Sequence, residues 1–368
     1  MSLTQLSRPG RLAVVVITAL ALGSCLHGKS DRYSRKQAQK SLLKLETPGL
    51  VVGEFHVTKV SDGDTIRVDG LDSSLRLLGL DTEETFDHYP EQRRQYEADG
   101  WPAYTKEMRG GKPHPQKFAT PLGDDAWHWA EKFFDTSEKV RIERDHPAEI
   151  RDAYNRYLAY VFVKKNGAWV NYNVECVRAG MSPYFPKYGE SRRFHEDFVK
   201  AQDEARAAKR GIWAPNVMSY PDYDERLAWW NARGAFVTAF RKEGEGKDNY
   251  IDISHWDATQ KLEELVGKEV HILGVVGDVR IGEKGPTRVE LARSRFGGFP
   301  LVFFDRDVFV QTGIAGWSGE YVIATGIPTI YENRYNHRKQ VQLQIDRAAQ
   351  ITLSPIPGLQ IPTSTPAP

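Results

Sequence analysis

The fold of the first domain is decided by a stretch that reads Asp62-Gly63-Asp64-Thr65-Ile66-Arg67-Val68 and then, after a polar turn, Leu75-Arg76-Leu77-Leu78-Gly79-Leu80. Apolar residues alternate in the first run and cluster in the second, and they also alternate upstream at Phe55, Val57 and Val60. Short apolar runs separated by Asp-Gly turns are typical of antiparallel strands. The sequence therefore predicts a three-stranded β-meander over residues 51–80.

Beyond the meander, helical and strand patterns alternate as far as residue 214. Apolar spacing of three and four predicts helices near 126–134, 170–179 and 190–209, and β-like runs fill 140–143 and 157–163. We expect a mostly β domain with helices, an α+β fold, over residues 50–214. Within it, residues 86–121 carry many Gly, Pro and charged residues, which indicates a long loop or insertion.

A second β-rich domain is predicted over residues 235–353. A linker with a small helical patch precedes it at 215–234, and five or so short apolar runs between Gly and Asn turns follow. This spacing fits a small barrel such as an OB-fold. The last residues, 354–368, are rich in Pro, Ser and Thr and are predicted to be disordered.

Composition limits the classes of site that the chain can hold. It has 368 residues, a net charge of +1 and two cysteines, Cys25 and Cys176. The near-neutral charge excludes a wholesale basic field, so any site for a polyanion must be local. Two cysteines exclude a disulfide framework, and Cys176 is expected to be an inert buried thiol.

The N-terminus has the pattern of an export signal. The apolar run Leu12–Leu22 is too short to span a membrane and follows two arginines. Leu22-Gly23-Ser24-Cys25 resembles the lipobox of bacterial lipoproteins, in which cleavage precedes a lipid-bearing cysteine. The resemblance implies a signal peptide at 1–25, a lipid on Cys25 and a tether at 26–49. It implies an exported protein anchored in the bilayer of the bacterial envelope, at the outer membrane or cell surface. A plain secretory signal is the alternative.

Three aspartates near the meander supply oxygen ligands. Phosphodiester cleavage requires neutralisation of the phosphate charge and activation of a water molecule, and a hard cation such as Ca²⁺ contributes to both. Asp62, Asp64 and Asp81 are ligands of the kind that such a cation prefers. Asp-Gly-Asp is also common in ordinary turns, where Asp caps its own backbone.

Three further charged residues complete the chemistry. Glu84 follows the third aspartate closely and can reach a water at the ion. Arg76 and Arg156 carry permanently charged, fork-shaped groups that suit phosphate oxygens. Each arginine could instead have no functional role and be a solvated residue on the surface of a strand or hairpin.

The order of three motifs resembles the staphylococcal nuclease (thermonuclease) family. The motifs are Asp62–Thr65, Arg76–Glu84 and Tyr154–Tyr160, and Gln202–Trp213 resembles the last helix of the family. The resemblance covers less than half of the chain. It implies an OB-like five-stranded barrel with three helices and a Ca²⁺-dependent endonuclease acting on DNA, RNA or both. We expect a monomer.

The resemblance also implies a metal site. Asp64, Asp81 and the carbonyl oxygen of Thr82 would bind Ca²⁺ directly, and Asp62 would act through water. Glu84 would serve as the general base, or would orient the attacking water.

Substrate contacts follow from the same resemblance. Arg76 and Arg156 would hold the scissile phosphate and stabilise its charge in the transition state. Tyr154 and Tyr184 would lie beside the nucleotide.

Two positions depart from the family pattern. Glu83 replaces a proline, which is expected to loosen the turn that aims Glu84 and to add negative charge beside the ion. Asn155 replaces a glycine, a mild change because asparagine tolerates positive φ.

Two other functions stay open at this point. The second barrel could bind single-stranded nucleic acid through Tyr331, Arg334 and Tyr335. Arg338 and Lys339 would then contact the phosphate backbone of the nucleic acid. The favoured interpretation of these aromatic residues is the surface and core of a hairpin. The third hypothesis is an envelope lipoprotein whose nuclease-like domain is weak or inactive and serves as a scaffold.

Overall fold

The computed structural model describes residues 49–359 apart from 113, 136–138, 153, 295–296 and 336. The signal peptide with Cys25, the tether up to residue 48 and the tail from residue 360 lie outside the described residues. Within the described ranges, no helix combines the length and apolar character that a membrane crossing requires. The fold is α+β, as expected, with one mixed sheet in each domain.

The first domain is built on a curled sheet of seven described strands. They are β1 (Val51–Phe55), β2 (Val57–Val60), β3 (Thr65–Val68), β4 (Leu75–Leu77), β5 (Val140–Glu143), β6 (Tyr157–Lys165) and β7 (Ala168–Asn171). Their order is β1-β5-β6-β4-β3-β2, and β7 pairs with β6. The end strands β1 and β2 are consecutive and flank His56 but do not pair, so the described strands form an open seven-stranded sheet and not the closed five-stranded barrel that the resemblance implied.

The insertion at 86–121 is not the long loop that its composition predicted. It forms two helices, α1 (Pro90–Asp99) and α2 (Trp101–Arg109), with a proline in the first turn of each. Proline is tolerated there because its missing N–H would have no helical partner. Tyr96, Trp101 and Tyr104 pack with other aromatic residues into a small separate core.

Three helices complete the first domain, in agreement with the family resemblance. They are α3 (Pro121–Phe134), α4 (Tyr172–Arg178) and α5 (His195–Ala207). Thr120 caps α3, since its hydroxyl oxygen accepts a hydrogen bond from the N–H of Gly123 at 2.9 Å. Cys176 is buried and free, as expected.

The predicted linker is mostly helical. Residues 215–234 contain the first half of α6 (Tyr223–Glu243), a helix of 21 residues. Its pattern is obscured because both domains cover it, and its buried residues include Arg226 and Arg233. Arg233 forms a buried bidentate ion pair with Glu320 of the second domain.

The second domain holds a larger sheet. Its described strands are β8 (Tyr250–Asp252), β9 (Val270–Arg280), β10 (Thr287–Ser294), β11 (Gly297–Phe303), β12 (Tyr321–Gly326), β13 (Pro328–Glu332), β14 (Lys339–Gln344) and β15 (Ile351–Leu353). Two helices, α7 (Ala258–Glu264) and α8 (Arg306–Thr312), flank the sheet. The order is β13-β14-β11-β10-β9-β12-β15, and β8 pairs with β9.

The two sheets share one topology. In the first, β4 runs parallel to β6 and α3 lies between β4 and β5 in the chain; in the second, β11 runs parallel to β14 and α8 precedes β12. In the second sheet, β12 and β13 flank Ile327 and pair with different strands, β12 with β9 and β13 with β14. This arrangement supports the predicted OB-like second domain. Tyr331 and Tyr335 lie on its surface.

Candidate active site

The side chain of Arg76 forms the centre of the site. Arg76 lies in the middle of β4, opposite Thr65 of β3, and is buried. Its guanidinium forms an ion pair with Asp64 and donates from Nη2 to Oδ1 of Asp81 at 2.6 Å and to the carbonyl oxygen of Leu80 at 2.9 Å. Three of the predicted site residues are therefore in direct contact.

The Asp-Gly-Asp turn is held against the segment that follows β4. The N–H of Asp64 donates to Oδ1 of Asp62 at 2.9 Å, and the N–H of Thr82 donates to Oδ2 of Asp64 at 3.2 Å. A Cβ at Gly63 would lie 2.5 Å from Cγ2 of Thr82, which leaves room only for glycine. The turn thus caps its own backbone and also aims Asp64 at the cluster.

Lys117 enters the cluster from the insertion. Its Nζ lies 2.7 Å from Oδ1 of Asp81 and 3.5 Å from Oε1 of Glu84. The Glu84 side chain is 23% exposed and so is open to solvent at the edge of the cluster. No motif marks Lys117 in the sequence, and only the position of the insertion, directly after Glu84, hints that a residue from it reaches the site.

The pKa values of two aspartates in the site are shifted in opposite directions. Burial alone would raise the pKa of Asp81, but the positive charges of Lys117 and Arg76 lower it to about 2. Burial and the negative charge of Asp64 raise the pKa of Asp62 to about 8, and Glu84 adds to this effect. The acids at the turn therefore repel one another, and positive charge there would relieve that repulsion.

Arg156 is positioned by its own hairpin. Its Nε and Nη2 lie 2.9 Å and 2.7 Å from Oδ2 of Asp152, which fixes the plane of the guanidinium. Asn155 adopts φ 67°, as the substitution for glycine predicted. The ring of Tyr154 is 67% exposed and lies 5.5 Å from the guanidinium carbon of Arg156.

Tyr188 is close enough to both predicted arginines for their charges to affect its pKa. Burial raises its pKa, the charge of Asp152 raises it further, and the charges of Arg76 and Arg156 lower it. The charges of both arginines therefore act on the hydroxyl group of Tyr188. The register agrees, because Arg76 pairs with Leu158, two residues after Arg156, on the parallel strand β6. The structure therefore places the predicted arginines on one side of the barrel.

Comparison with known proteins assigns the domain to a family. The staphylococcal nuclease homologue family model matches residues 74–215. An uncharacterized protein, MJ1439, of Methanocaldococcus jannaschii is 31% identical over 159 residues, 43% of this chain and 70% of that protein. A thermonuclease of Staphylococcus intermedius is 30% identical over 168 residues, 44% of this chain and 78% of its own length. This chain belongs to the staphylococcal nuclease family. A thermonuclease of Staphylococcus hyicus is 28% identical over 165 residues, 44% and 75% of the two chains.

Family membership makes the domain a hydrolytic nuclease. The segment matched by the staphylococcal nuclease model contains Arg76, Asp81, Glu84 and Arg156. It ends before α6 and the second barrel.

Glu83 does not add charge beside the cluster of the nuclease domain. Its side chain is buried, and its Oε1 accepts hydrogen bonds from the N–H of Tyr220 and the hydroxyl of Tyr223, each at 2.7 Å. The Thr120 hydroxyl also bonds to its other oxygen. Glu83 therefore ties the turn before Glu84 to α3 and α6 instead of loosening it.

Tyr184 does not reach the nuclease site. It is 5% exposed, stacks on Phe198 with ring centroids 4.8 Å apart, and accepts a hydrogen bond from the N–H of Ser191 at 2.9 Å. The segment pairs with Gly79 through Phe185, and this pairing turns Tyr184 into the core. Tyr188 and Lys187, four and three residues later, lie by the charged cluster.

The nuclease donor set fits a hard divalent cation in its chemistry. Asp62, Asp64, Asp81 and Glu84 all offer carboxylate oxygens. Within the described residues, no three of these carboxylates have oxygens within 4.8 Å of one another. The guanidinium of Arg76 lies between Asp64 and Asp81 and pairs with Oδ1 of each carboxylate.

Proposed function

We propose that this chain is a Ca²⁺-dependent nuclease that hydrolyses phosphodiester bonds of DNA, RNA or both outside the cytoplasm. The observation that carries the proposal is the contact of Arg76 with Asp64 and Asp81, with Arg156 on the same side of the barrel. The curated names of two relatives, both thermonucleases, support it.

The cation would be held by Asp64, Asp81 and the carbonyl oxygen of Thr82, with Asp62 acting through water. When bound, Ca²⁺ supplies positive charge that offsets the charge of the phosphate and assists ionisation of a water molecule.

Glu84 would take the proton from the attacking water. Its carboxylate is partly exposed, so it can meet both solvent and substrate, and Lys117 at 3.5 Å keeps positive charge near it. A carboxylate that accepts a proton in the transition state contributes about 10²–10⁴-fold to the rate.

Arg156 would hold the phosphate through the edge of its guanidinium that Asp152 does not occupy. Asp152 binds Nε and Nη2, which leaves Nη1 directed away from that pair. Arg76 would contribute its own charge once it releases a carboxylate. The exposed ring of Tyr154 offers a surface on which a base can stack.

Cleavage of single-stranded DNA over a Ca²⁺ titration tests the proposal. We expect cleavage that requires Ca²⁺ and falls by about 10²-fold or more in Arg156→Ala and in Glu84→Gln, because both contacts act in the transition state. Arg94→Ala, which removes an exposed arginine on α1, is the matched control and should cleave normally. Circular dichroism spectra establish that each variant is folded.

Folded protein that cleaves neither DNA nor RNA at any Ca²⁺ concentration would refute the proposal. That result would favour the alternative of a weak or inactive nucleic-acid-binding or scaffolding protein.

We also propose that the mature chain is lipid-anchored through Cys25. The lipobox-like sequence Leu22–Cys25 supports this. Mass spectrometry of the mature N-terminus should find a lipid on this cysteine, and Cys25→Ala should release the protein from the membrane fraction. An unmodified cysteine in membrane-bound protein would contradict the anchor.

A further inference from the structure

A second group of metal-ligating side chains lies where the two domains meet. His146, Glu149 and His255 each offer a ligand atom, and these atoms all lie within 4.8 Å of one another. They form the one such group of three or more among the described residues. We propose that this group binds a divalent transition-metal ion such as Zn²⁺ and thereby joins the nuclease domain to the second barrel.

The donor set distinguishes this group from the acidic cluster. Two imidazole nitrogens and one carboxylate suit Zn²⁺ and related borderline ions, whereas Ca²⁺ prefers oxygen ligands alone. Three protein ligands leave the fourth tetrahedral position to water. The proposed site is thus a different metal centre and does not rest on the proposed nuclease activity.

His255 is available as a ligand. Its Nε2 is buried and makes no hydrogen bond to any residue that the structure describes. The nearest carboxylate oxygens are Oε1 of Glu149 at 3.6 Å and Oδ2 of Asp252 at 3.9 Å. A buried imidazole nitrogen without a partner is uncommon, because the missing hydrogen bond costs free energy, and a bound ion would satisfy it.

His146 faces His255 with nearly parallel rings. Their centroids are 5.2 Å apart and the planes differ by 18°. Burial and the charge of Arg192 lower the pKa of His146 to about 4, so its ring is neutral at pH 7. The N–H of Ala148 donates to its Nδ1 at 3.2 Å, a single weak bond that metal binding would have to exchange.

The three ligand atoms would have to move only a short distance towards one another to bind a metal ion. Tetrahedral Zn²⁺ with bonds of about 2.0–2.1 Å places its ligand atoms roughly 3.3 Å apart. The pair formed by His255 and Glu149 is already at 3.6 Å. Rotation of the His146 ring and a modest shift of its short loop would complete the set.

The surrounding charges balance such an ion. Asp145, Asp252 and Glu149 face the group, together with the cations Arg192 and Arg241. With neutral imidazoles the pocket therefore carries one net negative charge. Arg241 donates to Oε1 of Glu149 at 2.7 Å, so the arginine and the ion would share this carboxylate.

The location gives the ion a structural consequence. His146 and Glu149 lie in the segment between β5 and β6 that leads to Asp152, the residue that orients Arg156. His255 lies between β8 and α7, and its neighbour Trp256 donates its N–H to the carbonyl oxygen of Ala148 at 3.2 Å. A metal bridge here would fix the second barrel to the segment that positions a catalytic arginine.

Zinc binding by the purified full-length protein tests the proposal. After chelator treatment and dialysis, Zn²⁺ is titrated at pH 7.5 against a chromogenic chelator, with excess Ca²⁺ present to exclude the acidic cluster. We expect one equivalent to bind and the thermal midpoint to rise with Zn²⁺, as for any ligand that binds only the folded state. Co²⁺ in place of Zn²⁺ should give the visible absorption of a tetrahedral site.

Ligand variants separate the proposal from a plain ion pair. His255→Gln and His146→Ala should each weaken Zn²⁺ binding by about 10–100-fold or more and abolish the zinc-dependent rise in midpoint. His128→Ala, which removes an exposed histidine paired with Glu131 on α3, should bind Zn²⁺ as the parent does. Absence of zinc binding by the parent, or unchanged affinity in both ligand variants, would overturn the proposal and leave His255 as a partner of the acids alone.

Discussion

Glu83 provides a direct test of how the active-site turn is held. Its buried carboxyl group accepts hydrogen bonds from Tyr220, shortly before α6, and from Tyr223, the first residue of α6. Burial raises its pKa from the ordinary 4.5 to about 7. The folded protein therefore retains a proton on Glu83 at a pH where the unfolded chain has released it.

The direction of the pH effect follows from this difference. Below pH 4.5, both states bind the proton and Glu83 contributes no pH dependence. Between pH 4.5 and 7, the unfolded chain ionises first, so the free energy of unfolding falls as the pH rises. Above pH 7 both states are ionised and the free energy of unfolding falls no further. The total decrease is about 3 kcal/mol, which follows from the separation of the two pKa values.

Glu83→Gln removes this titration but keeps an oxygen that accepts from Tyr220 and Tyr223. Urea unfolding of parent and variant between pH 5 and pH 8 gives the difference in free energy of unfolding, in which other titrating groups cancel. The variant should gain about 2.5 kcal/mol on the parent over this interval. Glu91→Gln, an exposed glutamate on α1, is the matched control. A difference that stays flat with pH would refute the reasoning, because Glu83 would then be ionised throughout.

Three further changes have defined outcomes. Asp152→Asn should lower kcat more than it raises KM, by about 10-fold, because Arg156 loses the carboxylate that fixes its plane; equal kinetics would contradict this. Arg233→Leu leaves the buried carboxylate of Glu320 without its ion-pair partner, and the free energy of unfolding in urea should fall by about 3–5 kcal/mol. A decrease below about 1 kcal/mol would show that the ion pair is not needed for stability. Gly63→Ala should lower the thermal midpoint and the activity together, because its Cβ would clash with the side chain of Thr82; unchanged activity would place that turn outside the site.

Local sequence predicts the centre of the site well. Asp64 directly precedes β3, Arg76 lies on β4 and Asp81 follows β4, and the antiparallel pairing of these two strands brings the three residues together. The positive φ of Asn155 is a local property too, and the sequence predicted it.

Residues that come from distant segments could not be placed from the sequence. Lys117 contacts Asp81 across 36 residues, and nothing in the sequence around it specifies that approach. Tyr184 and Tyr188 are four residues apart, and the pairing of Phe185 with Gly79 decides that only the second lies by the arginines.

Two segments misled the sequence analysis for a different reason. Proline and glycine in the insertion resemble loop signals, yet they stand at the ends of α1 and α2, where helices tolerate them. Helix α6 is covered by both domains and therefore lacks the single apolar face by which a helix is usually recognised.

The length of α6 has a mechanical consequence for the two halves of the catalytic centre. A helix of 21 residues measures about 30 Å. At one end, Tyr223 donates a hydrogen bond to Glu83, the residue before Glu84. At the other end, Arg241 donates a hydrogen bond to Glu149, which lies seven residues before Arg156. The helix therefore links the segment that contains Glu84 to the segment that leads to Arg156. A chain cut off at residue 214 would keep Glu84 and Arg156 and lose the helix that links the segments holding them.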